Sequence, residues 1–472
     1  MRGWRKILFI AFCAVPMVSL FAYSSPLTNK VGADFIVTAA PVYVPLAELR
    51  GLERFPRGAH LLLVHDGKAA PLVSGFADTA DADVSFDAKR VLFAGKRAAG
   101  DPWQIWELTL SEGSVRKVID TQTDAERPLY LPGGRMVWAQ RTPAGFRVES
   151  ARDGHPPKVP FMNPTGGPGV LTITYMRANA FPAAILADGR ILFESGFPLN
   201  QGAIPELYLV YADGSGIESY RCDHGRARWG GSQLSSGDVV FTHGSSLARF
   251  NSMLAHEEPV AAPRARYAGA ITQTPSGDWL MSARSPAETH YAIQMWKPGS
   301  RSLETVLTKS DQSLVEPVVV TPRVRPRRFP SGLHPWSYAN LLVLDSRLSL
   351  AGNLKLAPTS VRLESLDADG HLTVNGTAPV APDGSFFAKV PGDRPIRFVL
   401  LDRNGAVLRR EHGWFWSRGG EQRICVGCHT GPAISPENRA PEILQRSTTP
   451  FDLTGASLPT SPRNSLPGGS SR

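Results

Sequence analysis

The chain has 472 residues, with 51 lysines and arginines against 42 aspartates and glutamates and only four cysteines. This length allows two or three domains with sizeable cores, and four cysteines are too few for a disulfide-rich scaffold. The formal net charge of +9 is a mild excess, and no basic face interleaved with aromatic residues indicates a nucleic-acid partner. No Gly-x-Ser-x-Gly, His-Glu-x-x-His or phosphate-loop sequence supports a hydrolase or a kinase.

The N-terminus has the pattern of a secretory signal. A basic segment, 1–6, precedes the apolar run 7–22, and small residues at Ala22 and Ser24 occupy the two positions that a signal peptidase reads. We therefore predict a signal peptide over 1–24 and export to the periplasm. The run is shorter than the ~20 apolar residues that span a bilayer, so an uncleaved anchor is the less favoured alternative. No second apolar stretch predicts a stable membrane span after cleavage.

After an extended lead-in predicted over 25–58, a repeated β-hairpin phrase predicts a β-propeller over 59–322. The phrase recurs every ~40–55 residues, as expected for four-stranded blades. Its five copies are Val84–Phe93, Leu129–Trp138, Ile185–Phe193, Gln233–Phe241 and Thr272–Met281.

The number of blades follows from closing the ring. Pairing Ala59–His65 with Leu314–Val320 in a composite blade gives six blades, with seven as the alternative. The repeated aromatic residues are expected to form the core between blades: Phe93, Trp138, Phe193 and Phe241.

The C-terminal third begins with a proline- and arginine-rich linker, 323–338, for which we favour a solvated connector over an anion-binding strip. Six short strand patterns with Asp-Gly and Asn-Gly turns predict a small antiparallel β-sandwich or barrel over 339–415. A haem-binding segment is predicted over 416–445. The Ser-, Thr-, Pro- and Gly-rich end, 446–472, is expected to be a disordered tail.

Cys425-Val-Gly-Cys428-His429 is the attachment sequence of a c-type haem. Two thiols add to the vinyl groups of one porphyrin, and the adjacent imidazole becomes the proximal ligand of the iron. We therefore predict one covalent haem c. A zinc site would need a second pair of ligands, and a thioredoxin-like pair would need a βαβ context; the sequence offers neither.

The sixth ligand of the iron separates the functional hypotheses. A histidine there would saturate the iron, as in an electron carrier, whereas an open position would allow a small molecule to bind. The candidate histidines are His412, His334, His224 and His243. Met162 and Met176 are disfavoured alternatives. The loop around Cys222 and His224 could instead bind a metal, although we favour an ordinary hydrogen-bonded loop. Trp414 and Trp416 could wall the porphyrin or pack in the sandwich core.

The segment Ala381–Phe398, together with Trp414–Trp416 and Cys425–His429, resembles the C-terminal part of the hydrazine synthase alpha subunit family. The repeats also resemble those of Tol-type propellers. The resemblance implies a six-bladed propeller, a sandwich-like middle segment and a haem site with Cys425 and Cys428 as attachment thiols and His429 as proximal ligand. Members that form hydrazine carry two haems in this subunit. This chain has a single attachment sequence, so hydrazine formation is not implied.

These observations predict an all-β, exported monohaem cytochrome that transfers electrons with periplasmic redox partner proteins. Two alternatives remain open: a haem enzyme acting on a small molecule, and a propeller-based binding module with a redox haem.

Overall fold

The structure is a computed structural model, and it describes residues 30–152, 169–199, 202–221, 225–349, 352–411, 413–428 and 437–455. Eight four-stranded sheets account for nearly all of its regular structure. Six of them form a propeller and two form a sandwich, which confirms the predicted all-β architecture and the count of six blades.

The blades follow one another along the chain, each with its first strand innermost except in the composite blade. Blade 1 consists of β24 (Ser313–Val319), β1 (Phe35–Ala40), β2 (His60–His65) and β3 (Lys68–Pro71), in that spatial order. Blade 2 is β4 (Asp78–Val84), β5 (Arg90–Lys96), β6 (Gln104–Thr109) and β7 (Ser114–Ile119). Blade 3 is β8 (Ala125–Leu131), β9 (Arg135–Thr142), β10 (Gly145–Arg152) and β11 (Val170–Thr172).

The remaining blades repeat this order. Blade 4 is β12 (Ala180–Ile185), β13 (Ile191–Leu199), β14 (Gly202–Val210) and β15 (Glu218–Ser219). Blade 5 is β16 (Arg228–Gln233), β17 (Val239–His243), β18 (Ser246–Phe250) and β19 (Glu258–Pro259). Blade 6 is β20 (Arg266–Gln273), β21 (Trp279–Arg284), β22 (Ala292–Trp296) and β23 (Glu304–Leu307). The innermost strands of neighbouring blades contact one another all round the ring. The four repeated aromatic residues are fully buried, as expected for core: Phe93, Trp138, Phe193 and Phe241.

The composite blade closes the ring differently from the prediction. β1 lies between β24 and β2 and pairs antiparallel with both, so β24 and β2 are not direct neighbours. The predicted lead-in therefore contains a propeller strand. The reason is that β24 supplies only the innermost strand of this blade, and three strands from the N-terminal part of the chain are needed to complete it.

The segment 41–58, also expected to be part of the lead-in, covers one end of the ring. Its short 3₁₀ helix, Glu48–Arg50, is followed by Arg54, and both Glu48 and Arg54 are buried. Arg54 forms ion pairs with Asp81 of β4 and Glu316 of β24. A cavity of about 350 Å³ remains beneath the segment.

The charged residues at this end stand on bulges of the innermost strands. Asp81, Arg127 and Glu316 have φ of 58°, 50° and 56°, in a left-handed region that residues other than glycine seldom adopt. Arg127 pairs with Glu48 and, at 3.1 Å, with Glu194. The bulges thus aim charged side chains at the segment that covers the ring, and their mutual pairing compensates the burial of charge.

The linker lies on the opposite end of the ring, at the last residues of the innermost strands. Arg323 pairs with Asp83 at 2.6 Å, and the Arg327 amide donates a hydrogen bond to the Ala187 carbonyl at 3.1 Å. Gly189, at φ 86°, faces the Arg327 carbonyl so closely that a Cβ would clash with it. The linker therefore lies against the propeller at these contacts, while most of its residues are exposed, as expected of a solvated connector.

The last two sheets face each other as a β-sandwich. One sheet has the order β31 (Gln422–Cys425), β25 (Tyr338–Val343), β28 (Phe386–Pro391) and β32 (Phe451–Asp452). The other has the order β27 (Leu372–Pro379), β26 (Ser360–Leu366), β29 (Ile396–Leu401) and β30 (Val407–Arg410). Phe386 and Phe398 meet between the sheets with ring centroids 5.1 Å apart.

Two features of this domain differ from the prediction. β31 and β32 pair parallel with β25 and β28, so the sheet is mixed rather than antiparallel. The described part of the predicted tail is ordered: after the helix α1 (Glu442–Arg446), Leu453 is buried in the sandwich core. Residues 456–472 lie outside the described residues. Within the described chain, no helix has the length and apolar character that a membrane crossing requires.

Candidate functional site

The two cysteines of the Cys-x-x-Cys-His sequence lie at the end of β31, on a turn held by the sandwich. Cys425 pairs with Val343 in the parallel ladder, and its carbonyl accepts a hydrogen bond from the Leu344 amide at 2.9 Å. The Asp345 amide donates to the Val426 carbonyl at 3.0 Å, and the Cys428 amide donates to the Leu348 carbonyl at 3.0 Å. The turn is thus fixed on both sides of the pair.

Both thiols face apolar surroundings. Cys428 is 5% exposed and belongs to the sandwich core, against which Cys425, Leu354 and Phe415 also pack. Both cysteines are free, and burial raises the pKa of each thiol above its ordinary value. A raised thiol pKa is the opposite of the lowered pKa that is typical of a thioredoxin-like redox pair.

One half-buried carboxyl group, that of Glu411, lies beside the pair. Burial raises the pKa of Glu411 to about 7, although it accepts a hydrogen bond from the Phe398 amide at 2.9 Å. Its negative charge helps to raise the pKa of both thiols, whereas Arg423 lowers that of Cys425. The apolar neighbours of the thiols are therefore bordered by charged side chains of both signs.

This donor set fits a covalently attached haem better than a zinc site. In the described parts of the chain, the one cluster of three metal-ligating side chains is Asp367, Asp369 and His371, which are all exposed. Among the residues that the structure describes, the cysteines are not part of such a cluster, and no βαβ unit surrounds them. Two thiols on one fixed turn with apolar neighbours suit the edge of a porphyrin. His429 lies outside the described residues.

The candidate sixth ligands fall in different places. His412 and His224 lie outside the described residues, as do Cys222 and Met162. His243 belongs to blade 5 and pairs with Glu257.

His334 lies at the far end of β31 from the cysteines. Its amide donates to the Gly420 carbonyl at 3.1 Å, and its ring stacks on Trp336 at 4.4 Å. Gly420 precedes Cys425 by five residues, roughly 16 Å of extended chain. The structure thus does not bring His334 to the cysteine turn.

Comparison with known proteins connects this domain to one family. Residues 359–430 match the hydrazine synthase alpha subunit middle domain, a range that includes both cysteines. The chain also superposes on Kuenenia stuttgartiensis hydrazine synthase with a TM-score of 0.74 at 16% sequence identity, covering 88% of this chain and 71% of that one. Over residues 359–430 the chain is therefore similar to the hydrazine synthase alpha subunit middle domain. At this identity the superposition shows a shared fold and no more.

Other solved structures resemble the propeller less closely. TolB from Acinetobacter baumannii superposes with a TM-score of 0.44 at 15% identity, covering 60% of this chain and 66% of that one. A putative TolB from Agrobacterium tumefaciens gives 0.38 at 14% identity, covering 58% and 88%. Neither score is high enough to carry an argument. A comparison with curated proteins found no match.

The tryptophans of this hydrazine synthase alpha-like domain do not have the expected arrangement. Trp416 is fully buried among residues of blades 3 and 4, and its Nε1 donates to the Gly214 carbonyl at 3.0 Å. It packs the sandwich onto the propeller. Trp414 is half-buried, with the Arg397 guanidinium 4.4 Å from its ring centroid. Trp416 lies outside the strands of the sandwich. This position was the sign in the sequence that the residue packs outside the sandwich core.

Proposed function

We propose that this protein is an exported c-type cytochrome with one covalent haem, which exchanges electrons with periplasmic redox partner proteins. The observation that carries the proposal is the fixed turn at the end of β31, where Cys425 and Cys428 share apolar surroundings. These two residues would attach the haem and His429 would be the proximal ligand. When bound, the haem supplies one-electron exchange at its iron.

The position of the turn supports electron exchange. β31 is an edge strand of the sandwich, and Ile424, next to Cys425, is 68% exposed. A group attached at this edge would be close to solvent, where a partner protein can approach. The backbone bonds to Leu344 and Leu348 hold the turn in place, so its orientation would change little between encounters.

The relationship to hydrazine synthase favours a second candidate, a haem protein that binds a small molecule at the iron. The two candidates differ in the sixth ligand. Among the four histidines considered, we favour His412 for this role, because its neighbour Glu411 lies beside both cysteines. A ligand from His412 would support the electron carrier.

Absorption spectra of the purified protein test both candidates. The protein should be expressed with its N-terminal segment in a host that attaches c-type haem, and spectra recorded in the ferric and ferrous states with and without carbon monoxide. Low-spin bands that carbon monoxide does not move are expected. A high-spin ferric spectrum with ready carbon monoxide binding would contradict the electron carrier and favour the second candidate, a haem protein that binds a small molecule.

Variants connect the spectra to named residues. Cys425→Ala with Cys428→Ala should abolish covalent haem, whereas Cys222→Ser should retain it. Protein that is folded and periplasmic but free of haem would refute both candidates. His412→Ala should convert a low-spin spectrum to a high-spin one, and His334→Ala and His243→Ala are the matched controls that should leave it unchanged.

A further inference from the structure

A second concave site lies between the linker and the propeller, on the end of the ring opposite the segment 41–58. It is a cleft of about 350 Å³ between blades 3 and 4. Its walls are the linker residues 327–332, the β8–β9 turn and the turn that follows β14. The side chains used below are those of Arg135, Arg328, Phe329, Tyr211 and Asp213.

Arginine side chains converge on this cleft, and among the described residues none of them has a carboxylate partner in an ion pair. Arg135 is held at its base, where Nη2 donates to the Ser150 hydroxyl at 2.9 Å and to the Ala212 carbonyl at 2.8 Å. Burial lowers the pKa of Arg135, the nearby Asp213 opposes this effect, and the positive charges of Arg152 and Arg328 add to it. Like charges are therefore brought together here.

The positive charges at this cleft are not balanced by ion pairs among the described residues. Within the described residues, Arg135, Arg327 and Arg328 form no ion pair, whereas Arg190, Arg249 and Arg323 each form at least one. Asp213 is the one carboxylate in the lining, and it accepts hydrogen bonds from the amide and hydroxyl of Ser215 at 3.0 and 2.6 Å. Three arginines and one aspartate leave two positive charges in excess.

Exposed aromatic rings form the other wall. Phe329 is 53% exposed and Tyr211 is 36% exposed, and their rings meet edge to face with centroids 5.8 Å apart. Leu131 and Pro132 continue this apolar surface. The linker that carries Phe329 and Arg328 is fixed by the close contact at Gly189, so the two walls are preformed.

We propose that this cleft binds a small molecule with a phosphate group next to an aromatic or apolar portion. The planar guanidinium groups of Arg135 and Arg328 match the oxygens of a phosphate, and two excess positive charges match its charge of about −2 at neutral pH. The rings of Phe329 and Tyr211 provide a surface for the apolar portion. The volume lies within the range of small-molecule sites.

Calorimetric titration of the purified full-length protein with phenyl phosphate tests this proposal, with inorganic phosphate and phenol as partial ligands. All titrations are made at one ionic strength, adjusted with chloride. We expect phenyl phosphate to bind more tightly than phosphate and phenol not to bind. Arg328→Ala should weaken phenyl phosphate binding about tenfold. Phe329→Ala should weaken phenyl phosphate and leave phosphate unchanged.

The control removes the same charge from the same linker. Arg325 is exposed and does not line the cleft, so Arg325→Ala should leave the affinity unchanged. Equal losses in the Arg328 and Arg325 variants would show non-specific attraction and overturn the proposal, as would no binding of phenyl phosphate at millimolar concentration. Vesicles of phosphatidylglycerol test whether the phosphate belongs to a lipid headgroup. If the protein binds these vesicles but not phenyl phosphate, the proposal of a small-molecule ligand is also overturned.

Discussion

Glu126→Gln is expected to stabilise the protein at pH 8 and to have little effect at pH 5. Glu126 stands at the start of β8 and lines the cavity beneath the segment 41–58. Burial raises the pKa of Glu126 to about 8; the charges of Asp81 and Glu48 add to this effect and that of Arg54 opposes it. Glutamine keeps the shape of the protonated carboxyl group without its titration.

The sign and size of the effect follow from the two pKa values. A glutamate in the unfolded chain titrates near 4.5, so the folded protein retains a proton that the unfolded chain releases between pH 4.5 and 8. The free energy of unfolding therefore falls as the pH rises through this window. Each unit of difference between the folded and unfolded pKa corresponds to ~1.4 kcal/mol of unfolding free energy. The difference between 4.5 and about 8 would therefore correspond to roughly 5 kcal/mol if the folded carboxyl group had no contact with water. Because Glu126 keeps some contact with the cavity, we expect about 2 kcal/mol.

Urea unfolding followed by tryptophan fluorescence measures this difference. The variant and the parent protein are compared at pH 5 and pH 8, and the stabilisation by glutamine should be about 2 kcal/mol larger at pH 8. Glu112→Gln, which changes an exposed carboxylate in the β6–β7 turn, should show no such dependence. The same stability difference at both pH values for Glu126→Gln would refute the reasoning.

Three further substitutions test the packing of the segment 41–58, the linker and the sandwich. Arg54→Met should cost about 3–5 kcal/mol in the same unfolding experiment, because it leaves the buried carboxylate of Asp81 and the half-buried one of Glu316 without this partner; an unchanged stability would contradict this. Trp416→Ala should cost about 3–5 kcal/mol and expose the linker to limited proteolysis, whereas Trp416→Phe, which removes the bond to Gly214, should cost about 1 kcal/mol. Gly189→Ala should cost more than Gly237→Ala, since both have positive φ but a Cβ clashes with the linker only at Gly189; equal losses of ~1 kcal/mol would show that the linker is not packed there.

The propeller could be predicted from the sequence where its pattern is local. The first two strands of blades 2 to 6 form hairpins, so the turn residues and the buried aromatic residue recur together within about ten positions. The strand β1 has no such partner beside it in the sequence. It pairs with β24, whose residues lie far away in the chain, and the largely apolar segment Phe35–Ala40 does not by itself reveal such a pairing. The contacts of the linker are equally difficult to predict from the sequence, because Arg323 and its partner Asp83 are 240 positions apart.

The spacing of Cys425, Cys428 and His429 is enough to predict a haem attachment sequence. It does not predict that the two cysteines lie at the end of a strand of the sandwich. β31 has four residues with no alternation of apolar and polar side chains, and it exists because β25 offers a free edge. Trp416 was expected to wall a porphyrin or to fill the sandwich core because it lies close to Cys425 in sequence. Its fully buried ring packs against the propeller instead, which depends on how the two domains meet.

The residues before the cysteine turn join it to the propeller. The Trp416 indole donates to the Gly214 carbonyl, the Gly216 amide donates to the Glu421 carboxylate at 3.1 Å, and Arg423 donates to the Ile217 carbonyl at 2.6 Å. The turn after β14 is therefore bonded at three points to the segment 416–423, which leads into the cysteine turn. These bonds fix the strand that carries the cysteine turn against blade 4, so a group attached to Cys425 and Cys428 would keep one orientation relative to the propeller.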